Sequence, residues 1–137
     1  FDLTLAASQS QENPVYYVQY AHARLCSIMG KAKEAGLAPD PAAADARLLN
    51  TPEEIAILKQ LVAFPSLVRS AALELEPHRV ILYLLDLAAQ FHSYYNKHRI
   101  ISEDAGLSAA RLLFAEAIRL VIGNGLSMIG VSAPESM

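Results

Sequence analysis

Helix-start signals recur along this chain, each ahead of an apolar pattern of helical period, and that pairing leaves little room for any fold but an all-α one. Asn13 can cap a helix, and Pro14 suits a first helical position because proline lacks the N–H that would go unpaired there. Thr51, Pro52 and Glu54 have the spacing of a capping box, in which the threonine caps and the glutamate three residues on reaches back. Glu76-Pro77 opens a further helix, and Ser108 is placed to cap the last long one. Behind these starts, Val18, Ala21, Leu25, Ile28 and Ala32 form one apolar stripe. Val80, Leu84, Leu87 and Phe91 form a broad face that should centre the core, and Ala110, Leu113, Ala117 and Val121 should point inward from the last helix.

Proline and glycine set the expected boundaries. The first helix runs from Pro14 to Ala35 and stops at Gly36, a usual residue for the left-handed turn past a helix end. The segment LAPDPAAADARLLN at 37–50 reads as a loop with a short helix from Pro41 to Leu48. The next helix spans Thr51 to Ala63, breaks at Phe64-Pro65-Ser66 and resumes over Leu67 to Glu76. Another covers Pro77 to Asn96, and the last ends at Gly123. No stretch alternates like a strand. The expected architecture is an antiparallel helical bundle of about five to six helices filling 13–137, one domain of the 137-residue chain.

Composition narrows the function. Although 53% of residues are hydrophobic, no window reaches the ~18 uninterrupted apolar residues of a membrane helix, and the nearest run, VILYLLDLAAQF at 80–91, carries Asp86. The excess is expected to be core, plus an apolar face that docks on a neighbouring domain. Nothing resembles a secretory signal, and lone Cys26, expected in or near the core, suits a reducing compartment, so a cytoplasmic protein without membrane association is expected. The chain starts at Phe1 rather than Met, and its ends read as those of the C-terminal piece of something longer.

Net charge of −3 argues against a surface that grips nucleic acid by general electrostatics. Charge is nevertheless uneven: residues 13–33 hold Arg24, Lys31 and Lys33 and no acid, and residues 87–101 hold Lys97 and Arg99 and no acid. On the first helix, Tyr17, Tyr20, Arg24, Ser27 and Lys31 make a second stripe about 100° from the apolar one. Tyrosine rings offer π faces to an unstacked base and cations offer charge to phosphate, the combination that single-stranded RNA recognition uses. A second such group lies in FHSYYNKHRI at 91–100, where His92, Tyr95 and Arg99 share one helix face. Each group also has a purely structural reading. One or more of Tyr16, Tyr17 and Tyr20 must pack inward, Tyr94 and Tyr95 can bury rings and wet hydroxyls, and Lys97, His98 and Arg99 suit a helix C-terminus. His22 reads as a hydrogen-bonded structural histidine, and Asp86 and Glu116 as solvent-facing or paired with a base. No spacing suggests a metal site, and there is neither a phosphate-binding glycine loop nor a nucleophile motif.

Three stretches carry a specific resemblance: NPVYYVQYAHARLCSI at 13–28, EPHRVILYLLDLAAQFHSYYN at 76–96 and IGNGLSMIGVSAPESM at 122–137. Together, and in this order, they resemble the C-terminal DALR-type anticodon-binding domain of the arginyl-tRNA synthetase family. The related cysteinyl-tRNA synthetase domain shares the helical fold, but YAHAR and VSAPESM favour the arginine family. The resemblance implies a parent that joins arginine to its tRNA using ATP, with residues 1–12 connecting from the catalytic domain. This segment would bind tRNA, do no chemistry, need no cofactor of its own and act within a monomer. Carried over residue by residue, the anticodon contacts would be Tyr17, Tyr20, Tyr95 and Met137. Arg99 stands where some members have an aromatic, and Arg24, Lys31 and Lys97 are the candidate phosphate contacts. The alternative of a different class is a helical protein-interaction module with the tyrosines as anchors.

Overall fold

The computed structural model describes Leu3, Thr4 and residues 13–137, so the expected connection over 1–12 lies largely outside the described residues. Four long helices account for the described chain: α1 (Pro14–Glu34), α2 (Pro52–Leu73), α3 (His78–Lys97) and α4 (Ala105–Met128), with a single 3-10 turn at Ala46–Leu48 between α1 and α2. The described residues are all-helical with no strand, and the expected count of five to six helices is corrected to four. The short helix expected from Pro41 to Leu48 shrinks to that 3-10 turn, opened by the Asp45 carboxylate accepting from Arg47 N.

The larger correction is at Pro65, which sits inside a continuous α2 instead of ending it. Proline removes one backbone hydrogen bond, and tertiary contacts on the same turn compensate. Phe64 is buried with its ring 5.2 Å from that of Tyr83, whose hydroxyl donates to the Gln60 carbonyl at 2.6 Å. Ser108 likewise does not cap α4. Asp104 does, accepting from Leu107 N at 3.0 Å, while buried Ser108 bonds the backbone of Ser102 and pins the preceding loop. Nor does Gly123 end α4, which continues to Met128. Gly125 marks a close crossing, since a Cβ there would lie 2.6 Å from Cδ2 of Leu84.

Helices α3 and α4 each pack on all three other helices, whereas α1 and α2 flank this pair and share no comparable contact. Leu84, Leu87 and Phe91 of α3 meet Val18 and Leu25 of α1, Ile57 of α2, and Ile118, Ile122 and Leu126 of α4 in one core. The stripe expected to point inward from α4 is rotated. Leu113, Ala117 and Val121 are half-buried at its flank, and Ala115, Ile118 and Ile122 take the core. This helix is apolar nearly all round, so periodicity does not select its buried face. The face of α2 turned away from α3 stays apolar and open, with Val62 and Leu73 largely exposed. By length and composition α2 is also the one described helix apolar enough to cross a membrane.

The polar centre of the fold is Glu54, whose side chain is 0% exposed. Its carboxylate closes the capping box with Thr51, accepts from the Tyr94 hydroxyl at 3.1 Å and pairs with Arg111 Nε at 3.2 Å. Burial alone would raise its pKa, but the hydrogen bonds from Thr51 and Arg111, with the Arg111 charge, hold it below the usual carboxylate range. Three helix ends share another device. A 6→1 bond closes α1 (Leu37 N to Ala32 O), α2 (Glu76 N to Ala71 O) and α4 (Val131 N to Leu126 O), with a left-handed residue inside each turn. Gly36 and Gly130 fill two of these positions, but the third is Leu75 at φ 56°. Leu75 is 87% exposed and loses little packing on truncation, so Leu75→Gly is expected to raise the urea unfolding free energy by about 0.5–1 kcal/mol. Conversely, Glu54→Gln leaves Arg111 buried without a counter-charge and should lower it by about 3 kcal/mol.

Candidate nucleic-acid interface

Packing of α1 against α3 brings the two aromatic and basic groups together. The guanidinium of Arg24 lies over the Tyr95 ring at 4.3 Å from its centroid, and the Phe91 ring, one turn back on α3, is nearly parallel to Tyr95 at 5.8 Å. Arg24 also donates from Nη1 to Nδ1 of His92 at 3.1 Å. The His92 ring in turn stacks on Tyr20 at 5.5 Å and meets Tyr17 at 5.2 Å. Tyr17, Tyr20, Arg24, His92 and Tyr95 therefore form one continuous side-chain array across two helices.

Protonation of His92 follows from its partners. A guanidinium can only donate, so Nδ1 accepts and the ring proton sits on Nε2. That Nε2 is sealed from solvent and finds no hydrogen-bond partner among the described residues. Burial, reinforced by the Arg24 charge, pulls the His92 pKa down to about 4. The ring is thus a neutral aromatic spacer at physiological pH.

Two open clefts flank the array. One, of about 410 Å³, is lined by Lys31, Tyr95, His98 and Arg99 over a floor of Ile28, Ile100 and Ile101. No carboxylate lines it, so it offers cations around an aromatic edge. The other, of about 270 Å³, lies between Tyr20, Arg24 and Ser27 of α1 and the final residues Glu135, Ser136 and Met137. Tyr20 is 37% exposed and Met137 52% exposed, so both are available to a ligand. Tyr17 and Tyr95 are half-buried, with part of each side chain packed on the core.

The structure thus brings together Tyr17, Tyr20, Arg24 and Tyr95, with Lys31 and Arg99 on one cleft and Met137 on the other. It does not bring Lys97 to them. Two residues beyond Tyr95 on a helix is nearly the opposite side, and there Lys97 pairs with Glu53 at 3.4 Å. Of the paired tyrosines at 94 and 95, Tyr94 is fully buried, and its hydroxyl meets Glu54 rather than water. His92 is the contributor that sequence reasoning underrated: its spacing to Tyr95 was legible, its position between Tyr20 and Arg24 was not. His22 is buried and hydrogen-bonded as expected, half-buried Cys26 lies 3.7 Å from it, and no group of His, Cys, Asp or Glu among the described residues could hold a metal. Asp86 accepts from Gln60 and Gln90, and Glu116 pairs with Arg119.

Residues 18–137 match the profile of the DALR anticodon binding domain. An arginine–tRNA ligase from Desulfotalea psychrophila is 54% identical over 138 residues, covering 100% of this chain and 25% of that protein, and one from Geotalea uraniireducens is 52% identical with the same coverage. The chain therefore spans about a quarter of the length of these relatives. Among solved structures, the arginyl-tRNA synthetase of Thermus thermophilus superposes with TM-score 0.77 at 36% identity, over 100% of this chain and 23% of that one. The neutral His92 makes a measurable prediction. Its folded-state pKa lies below its unfolded one, so its contribution to stability is full above about pH 6.5 and is lost as pH falls toward about 4. An NMR titration should show the His92 ring unprotonated at pH 5, and a midpoint near 6.5 would contradict the buried array.

Proposed function

Because the chain belongs to the DALR anticodon binding domain family, we propose that it is the anticodon-holding part of an arginine–tRNA ligase, binding arginine tRNA and doing no chemistry itself. The observation that carries this reading is the array running from Tyr20 through His92 and Arg24 to Tyr95, open at each end into a cleft. Bases of the anticodon loop leave their stack and pack on Tyr17, Tyr20 and Tyr95. Lys31, Arg24 and Arg99 neutralise the phosphates between them, and Met137 closes the cleft over Tyr20. Arg24 already lies on Tyr95, so a base arriving there meets a preformed cation–π pair. Lys97, tied to Glu53, serves at most the periphery of the bound loop.

This chain carries an acidic balance of −3, and local stacking supplies the affinity that general charge cannot. Residues 1–12 connect to a catalytic domain that uses ATP and arginine, and the open apolar face of α2 packs against that domain or its neighbours. The parent acts as a cytoplasmic monomer. No membrane role is assigned to α2, whose N-terminal turn is tied to α3 and α4 through buried Glu54.

In the complete ligase, Tyr20→Ala or Tyr95→Ala should each cost on the order of 1–3 kcal/mol, or about 5- to 150-fold, in kcat/KM for arginine tRNA. The KM for ATP should not change. Steady-state aminoacylation with cognate tRNA measures both, and wild-type kinetics in both variants would remove these tyrosines from the binding surface.

A further inference from the structure

A third stripe on α1 is absorbed neither by the core nor by the aromatic array. Gln19 and His22 lie three apart on one face, and both hold the segment that follows α4. The Gln19 side-chain amide donates to the Ser132 carbonyl at 3.0 Å and to the Ser132 hydroxyl at 3.1 Å. Nδ1 of His22 is 2.9 Å from the Pro134 carbonyl. A carbonyl only accepts, so the His22 proton is on Nδ1. The other side of that ring rests on Gly123 of α4, where a Cβ would stand 3.4 Å from Nε2. His22 itself is only 5% exposed.

Just beyond these anchors the chain forms a wall of the second cleft through Glu135, Ser136 and Met137. Resting on the anticodon reading above, we propose that Gln19 and His22 are positioning residues for base discrimination. They fix the height of the 131–137 segment on α1 and thereby set the gap between Met137 and Tyr20. Neither residue needs to touch the RNA. The last anchoring bond falls at Pro134, three residues before Met137, so losing it frees the whole wall of the cleft while Tyr20 and Arg24 stay in place.

The test uses the complete ligase with two tRNA transcripts, cognate arginine tRNA and one altered at the central anticodon base. Each variant is read as kcat/KM on both, and as the ratio between them. His22→Leu, which fills the site without a donor, should lower cognate kcat/KM about 5- to 10-fold and compress the ratio. His22→Asn, whose amide can reproduce the Nδ1 donor, should restore most of the ratio. In a Met137→Ala background, His22→Leu should cause no further compression, because the histidine acts through that residue. An unchanged ratio in His22→Leu overturns the proposal, as does a loss that adds fully to that of Met137→Ala or one that His22→Asn fails to relieve. Thermal unfolding of each variant shows whether the fold persists. Should His22→Leu not fold, Gln19→Leu is read by the same criteria, without the asparagine rescue. If Met137→Ala and Tyr20→Ala leave the ratio untouched, the anticodon reading itself fails. If they compress it and the α1 variants do not, only the positioning role fails.

Discussion

One carboxylate with no access to water ties three of the four helices together. Glu54 begins α2, and its side chain is committed to the Thr51 cap, the Tyr94 hydroxyl of α3 and the Arg111 guanidinium of α4. A buried charge is costly unless every lone pair is answered, so these elements must meet in one register or not at all. Arg111 extends the constraint by donating to the carbonyl of Arg99 at 3.0 Å. That bond fixes the backbone just beyond α3, where Arg99, Ile100 and Ile101 line the larger cleft. The same polar knot that sets the bundle's geometry therefore sets one wall of the candidate binding surface.

The opposite wall depends on how α1 meets α3. His92 fills the space between the helices with a neutral ring, which lets Tyr20 and Tyr17 lean on one side while Arg24 bridges to Tyr95. Such an array is preorganised: its rings and guanidinium are already held by one another, which would lower the ordering cost of binding the ligand proposed above. The segment after α4 completes it, turned back by Gly130 and laid along α1 by Gln19 and His22. Tyr17, Tyr20, Arg24 and Tyr95 are thus each supported by a neighbour that is itself buried or bonded.

Much of this was legible in the chain. Cap chemistry located the starts of α1 and α2, Pro77 located that of α3, Gly36 located the end of α1, and the apolar stripes of α1 and α3 were read correctly, because these signals act within a few residues. Errors fell where a local signal was outvoted. Pro65 breaks a helix on its own, but Phe64 and Tyr83 hold the turn. Gly123-Asn124-Gly125 reads as a stop, yet Gly125 is there to let Leu84 approach. Ser108 reads as a cap, and Asp104 does that work from four residues earlier.

The sequence by itself determined the helical class, three of the four helix starts, and which aromatic and basic residues share a helix face, since spacing along a helix dictates which side chains lie together. It could not pair Arg24 with His92 and Tyr95, send Lys97 away to Glu53, or bring Glu54 to Arg111. Those relations join residues tens of positions apart. They exist only once close packing around Leu84, Leu87 and Phe91 has fixed how far each helix is rotated about its own axis.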